Sequence, residues 1–141
     1  VLRALTIKQP WASAIAYGTK TVENRSWEPP RLPGGQELAI HAGKSSDVGA
    51  WPPIGQFWDA SQPLGAILAV ATLAGCHDWD ECENPDGSLC TPWSQRFQWH
   101  WQISNVRPLA EPVPCRGFQK LWTVPDEAEA AVRAQLEASH A

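Results

Sequence analysis

Lys20, Glu23 and Arg25 lie within six positions of one another in the stretch YGTKTVENRSW, residues 17–27, where Val22 is the sole aliphatic side chain. A strand that only filled a core would alternate apolar and polar residues, and this one does not. Period two puts Thr21, Glu23, Arg25 and Trp27 on one face and Val22 and Asn24 on the other. Taken alone, Glu23 and Arg25 read as a solvated pair contributing roughly 0–1 kcal/mol. A carboxylate beside a lysine also offers a group that moves a proton next to a cation that steadies developing negative charge.

A second group of reactive types sits further along. Four Cys stand at positions 76, 82, 90 and 115, with His77 beside the first. Cys76, His77, Cys82 and Cys90 are of the types that ligate zinc, but five and seven residues intervene between the successive cysteines. Zinc sites commonly show a C-x2-C pair, which is missing here, and the spacing fits no compact secreted disulfide framework either. The reading is reduced, partly buried thiols of a cytosolic protein, with no metal site assigned and no cofactor required. A chelator is then expected to leave the melting temperature unchanged. His100 lies in an apolar-rich run that suits a hydrogen-bonded structural histidine.

A length of 141 residues suits one domain with a single core and no staples. The net charge of −4 opposes coating of nucleic acid by bulk attraction. The charge is nevertheless segregated. Residues 1–44 hold six Lys or Arg against three Glu, and residues 91–125 hold four against one, whereas residues 77–90 hold five acids and no base. A basic patch therefore requires the two outer thirds to meet in space. The acidic stretch from His77 to Asp86 and an acidic C-terminal helix offer surfaces to a protein partner. Nine Trp supply large rigid packing pieces, with Trp93, Trp99 and Trp101 assigned to the core. No apolar run approaches the roughly 18–20 residues that cross a bilayer, and no basic-then-apolar leader is visible, so the expectation is a cytoplasmic protein without a membrane partner.

These residues need elements to position them. Leu2 to Lys8 reads as a strand, Pro10 to Tyr17 as a short helix entered at Pro10 and stopped at Gly18, and Lys20 to Trp27 as a second strand. Gln36 to Ala42 is a third strand, with Leu38, Ile40 and Ala42 on one face and His41 on the other. Residues 43–63 form a surface excursion with a candidate helix around Ile54 to Ala60. Leu64 to Leu73 is the most apolar and β-branched run and takes the central place in the sheet. A loop follows from His77 to Trp93, then a strand with Phe97, Trp99, Trp101 and Ile103 alternating against polar neighbours. Pro112 and Pro114 are expected to break the chain before a closing strand from Gly117 to Val124. The stretch Pro125 to Ser139 reads as a helix with Thr123 and Asp126 placed as a capping box. Six strands with helices near the start and end, without an alternating strand–helix rhythm, exclude a doubly wound parallel sheet and predict an α+β fold built on a small, mostly antiparallel β-barrel.

The order LTIKQPWASAIAYGTKTVENRSW resembles the opening of ASCH domains, the activating signal cointegrator homology family of the PUA-like superfamily. The likeness rests on Gln9-Pro10-Trp11 entering a helix and on Gly18, Lys20, Glu23 and Arg25 as G-x-K-x-x-E-x-R. It continues through LAIHAGK, the glycine-led strand from Gly65, and PVPCRGFQKLW, and so covers nearly all of residues 1–141 as one domain. The resemblance implies a PUA-like barrel with a cleft that holds RNA, DNA or a modified nucleoside. Lys20, Glu23 and Arg25 would line it, with Lys8, Gln9 and Trp11 beside them. His41, Lys44, Arg116 and Lys120 are further candidates for its wall. The chemistry is consistent: cations meet phosphates, an acid and an amide read base edges, and an indole stacks.

Some PUA-like relatives are small amidohydrolases that act on a modified cytidine with Lys, Thr and Glu. Glu23 stands here where their nucleophilic Thr would be, and a carboxylate does not replace a hydroxyl nucleophile. A ribonuclease would use Lys20 against the phosphorane charge and Glu23 or His41 for the proton. The leading expectation is a nucleic-acid-binding module for a single-stranded or distorted segment. A hydrolase of a modified nucleoside or of RNA, with Lys20 and Glu23 as catalytic candidates, is the alternative. On this expectation Lys20→Ala and Arg25→Ala weaken binding without unfolding the domain.

Overall fold

The computed structural model of the chain describes residues 1–30, 35–47 and 62–139. Most of the excursion expected over residues 43–63, including the candidate helix at Ile54 to Ala60, lies outside the described residues.

Among the described residues the elements run β1 (Arg3–Gln9), α1 (Trp11–Tyr17), β2 (Val22–Arg25), β3 (Gln36–Ser46), β4 (Ala66–Asp78), β5 (Trp99–Pro114), β6 (Leu121–Thr123) and α2 (Asp126–Ala138), with a 3-10 turn at Trp79–Glu81. They form one six-stranded sheet in the order β2-β5-β4-β3-β1-β6. The β1–β3 pair is parallel and the others are antiparallel.

The expected barrel is not closed. β6 is three residues long and covers β1 only from Arg3 to Leu5, which leaves the Thr6–Gln9 half of β1 without that neighbour. β2, four residues long, pairs among the described residues only with β5 and forms the opposite edge. Strands this short cannot complete a ring. The gap is instead crossed by a side chain, Arg25 donating from Nη2 to the Thr6 carbonyl at 2.8 Å.

Alternation along the inner strands buries both faces of the sheet. Leu5, Ile7, Leu38 and Ile40 pack with Ala12, Ile15 and Ala16 of α1 and with the fully buried Trp101. Leu2, Ala4, Ala39 and Val70 face the other way, onto Trp122 and onto Val132 and Leu136 of α2. Burying such aliphatic side chains contributes roughly 1.5–3 kcal/mol each, which lets short helices hold despite weak capping. α2 has Pro125 at its N-cap and no side-chain cap bond, so the expected box from Thr123 and Asp126 does not form. Its anchors are apolar packing and Arg133, which donates to both oxygens of Glu37 on β3. Gly18 stands at the end of α1 as expected, but with φ −117 rather than a left-handed conformation.

β5 differs most from expectation. It starts at Trp99, because Phe97 has φ 65 and is exposed, and it continues through Pro108, Pro112 and Pro114 instead of breaking. Its register against β4 jumps between Ala69↔Pro108 and Ile67↔Val113, and again between Val70↔Arg107 and Thr72↔Ser104, where Asn105 has φ 48. Prolines donate no ladder hydrogen bond, and bulges of this kind are where a strand tolerates them. Among the described residues, no helix is long and apolar enough to cross a membrane.

Candidate functional site

The edge strand β2 and the uncovered half of β1 face each other across a cleft. Its floor is ionic. The Lys20 backbone N–H bonds the Ala14 carbonyl at 3.1 Å, which folds the chain back over the end of α1 and carries the side chain inward. Lys20 is 4 % exposed and Glu23 6 %. The Lys20 ammonium donates to the Val22 carbonyl and lies 3.4 Å from Glu23 Oε1. The other Glu23 oxygen receives Arg25 Nε at 3.0 Å and Nη2 at 2.9 Å. Burial lowers the Lys20 pKa from its ordinary value, and the Glu23 charge opposes that shift. The solvated-pair expectation for Glu23 and Arg25 is thereby overturned, because the carboxylate sits in a buried chain of alternating charge.

Two adjoining cavities open over this floor and share Trp11, Glu23 and Asn24 in their walls. The smaller, about 350 Å³, reaches Lys20, Asp47 and Trp93. The larger, about 700 Å³, reaches Thr6, Lys8, Arg25, Lys44 and Lys120. Both volumes fall in the range of about 300–1,000 Å³ typical of ligand sites. Trp11 presents a half-buried indole, held by Nε1–H to Asp47 Oδ2 at 3.0 Å and edge-on to Trp93. Trp93 is 5 % exposed, and its indole N–H has no hydrogen-bond partner among the described residues.

Of the residues singled out in the sequence, Lys8, Trp11, Lys20, Glu23, Arg25 and Lys44 meet at this cleft. Gln9 does not line it. Its buried amide accepts the Ser13 N–H at 3.0 Å and donates to Ser13 Oγ and the Pro63 carbonyl, tying down the start of α1. Arg116 lies over the Phe118 ring and lines a third cavity of about 380 Å³, whose wall shares Thr6 and Lys44 with the cleft. His41 sits beneath that cavity. Its Nε2 is 2.6 Å from the Cys115 carbonyl, which can only accept, so Nδ1 carries the lone pair that receives the Thr6 hydroxyl at 3.1 Å. Trp122 Nε1–H donates to the same Thr6 oxygen at 3.0 Å, and burial lowers the His41 pKa.

Two contributors were not apparent from sequence. Asn24 was placed on the face away from Glu23, yet it holds the cleft wall, donating to the Trp93 carbonyl and accepting the Gln95 N–H. Trp93 is buried, as expected, and it also borders the cavity. Neither carries a local signal, since both positions follow from how residues 91–96 lie against β2. The thiol group is also rearranged: His77, Cys82 and Cys90 converge with His100, and Cys76 is left out, packed against the core beside its register partner Trp101.

The model of the ASCH domain family matches residues 5–113. Among solved structures, ASCH from Zymomonas mobilis superposes with a TM-score of 0.58 at 14 % identity, covering 94 % of each chain. A point mutant of that protein gives 0.59 at 14 % identity, covering 94 % of this chain and 96 % of the other. At such identity the likeness concerns the fold. No curated protein matches the chain.

Proposed function

Because the chain belongs to the ASCH domain family, we propose that its cleft binds a single-stranded or distorted segment of RNA or DNA. One observation carries the reading: a protein of net charge −4 gathers Lys8, Arg25, Lys44 and Lys120 around one cavity, where Glu23 is the only acid among the described lining residues and is already paired. Such a local field attracts phosphate despite the overall sign. Lys8, Lys44 and Lys120 are exposed and meet the backbone. Trp11, whose half-buried indole borders both cavities, supplies a face for a base.

The same geometry favours binding over hydrolysis at Lys20 and Glu23. The Lys20 ammonium is buried and bonded to the Val22 carbonyl, and Glu23 is held by two cations, so both side chains are already engaged within the protein.

The test is a titration of ¹⁵N-labelled protein with a short single-stranded RNA, the matching single-stranded DNA and a duplex, each recovered afterwards and checked for cleavage. The indole N–H signals of Trp11 and Trp93 shift, while that of Trp79, packed against Phe97 and Arg96 and lining neither cavity, stays in place. Shifts confined to indoles far from the cleft, or none with any probe, contradict the reading.

A further inference from the structure

His77, Cys82, Cys90 and His100 each offer one ligand atom, and these four atoms lie within 4.8 Å of one another. We propose that they bind one zinc ion in a closed His2Cys2 site that staples the segment between β4 and β5.

Register creates the group. His77 of β4 is paired with His100 of β5, so both imidazoles leave the sheet on the same side, while the next pair, Cys76 and Trp101, turns to the other face. The chain between the strands then brings Cys82 and Cys90 to the imidazoles. The separations match a tetrahedral centre. Zn–S bonds of about 2.3 Å and Zn–N bonds of about 2.05 Å place N···N edges near about 3.3 Å and S···N edges near about 3.6 Å. The observed edges are 3.2 Å for His100 Nδ1 to His77 Nε2, 3.4 Å for His100 Nδ1 to Cys82 Sγ, and 3.6 Å for His100 Nδ1 to Cys90 Sγ.

Hydrogen bonding alone does not account for this convergence. His100 Nε2 lies 2.7 Å from the Gln95 carbonyl, an acceptor only, so Nε2 carries the proton and Nδ1 presents a single lone pair. One lone pair is surrounded by an imidazole nitrogen and two sulfurs. A cation at their centre takes a lone pair from each. The Gln95 carbonyl then acts as the outer partner that fixes the tautomer of a metal-bound histidine. The Cys90 N–H, 3.3 Å from Cys82 Sγ, donates to a thiolate.

Two soft sulfurs with two imidazoles favour zinc over calcium or magnesium, and four protein ligands leave no open position, which marks a structural site. The segment needs such a staple. Among residues 79–98 only Trp93 is buried, so little apolar packing holds this stretch. The site also supports the cleft, because Gln95 contacts His100 through its carbonyl and Asn24 through its N–H.

The full chain, expressed with zinc and purified without chelator, is assayed for metal, and the apo form, prepared under reducing conditions, is titrated with cobalt(II). The expected result is about one zinc per chain, with cobalt giving the visible bands of a tetrahedral ion and thiolate charge transfer. Cys82→Ser and Cys90→Ser each reduce bound metal, whereas Cys76→Ser and Cys115→Ser retain it. If either ligand variant fails to fold, the cobalt spectrum of the unaltered chain decides alone. Absence of stoichiometric zinc together with a non-tetrahedral cobalt spectrum overturns the proposal, as does a Cys82–Cys90 disulfide in freshly purified protein.

Discussion

The floor and the rim of the cleft are built from the same residue types and do opposite work. On the floor, Lys20 and Arg25 hold Glu23 between them, and the Lys20–Glu23 pair is nearly solvent-free. On the rim, Lys8, Lys44 and Lys120 are exposed, and among the described residues none of them forms an ion pair. A buried charge must be matched by the protein itself, so substituting it disturbs the fold. An exposed one is matched by water and counterions, which a phosphate can displace.

This contrast can be broken most forcefully at Glu23. Glu23→Ala leaves a buried ammonium without its carboxylate and is expected to cost about 3–5 kcal/mol in chemical denaturation. Lys20→Ala leaves Glu23 still paired with Arg25, so its loss is expected to be smaller. Equal losses in the two variants would mean that the floor is not a coupled chain. Because Lys20 is buried, its substitution reports on stability first, which changes the expectation drawn from sequence.

Next in size is Gly117→Ala. A Cβ there would stand 2.6 Å from both His41 Cε1 and Thr6 Oγ1, and overpacking of this kind costs about 1–3 kcal/mol. A variant as stable as the parent would show that the Thr6–His41 contact yields easily.

A pH series sharpens the picture of His41. Its folded-state pKa is lowered from 6.5 by burial, so the unfolded chain binds the proton more readily. Its contribution is complete above pH 6.5 and is lost as the pH falls below that value toward the lower folded-state pKa. Denaturation midpoints across this window should decline on acidification and decline less in His41→Gln. An identical decline in both proteins would assign the effect to other groups.

The smallest structural effect belongs to the rim. Lys8→Gln, Lys44→Gln and Lys120→Gln should each change stability by no more than about 0.5 kcal/mol.

What the sequence revealed and what it hid follow from the range of the interactions involved. The α+β class, the strand–helix–strand opening, the central place of β4 and the terminal helix rest on local periodicity, and these features are present. Closure of the sheet depends on whether its edge strands are long enough to pair, which the apolar pattern from Gly117 to Val124 overstated. The prolines of β5 were read by a local rule, while long-range bulges against β4 accommodate them. The burial of Lys20 depends on the turn back to Ala14, and a charged residue in a polar stretch gives no sign of it. His100 meets His77 through a register that joins positions 23 residues apart, so grouping by residue type along the chain takes in Cys76, which turns to the other face, and leaves out His100.

The most direct test of the cleft as a nucleic-acid site is the salt dependence of binding to a single-stranded RNA, measured by fluorescence anisotropy for the unaltered chain and for the combined Lys8, Lys44 and Lys120 glutamine variant. The predicted result is a folded variant that binds more weakly, with the slope of log affinity against log salt flattened by about 0.7 for each lost phosphate contact. A variant with the parental affinity and slope would contradict the account.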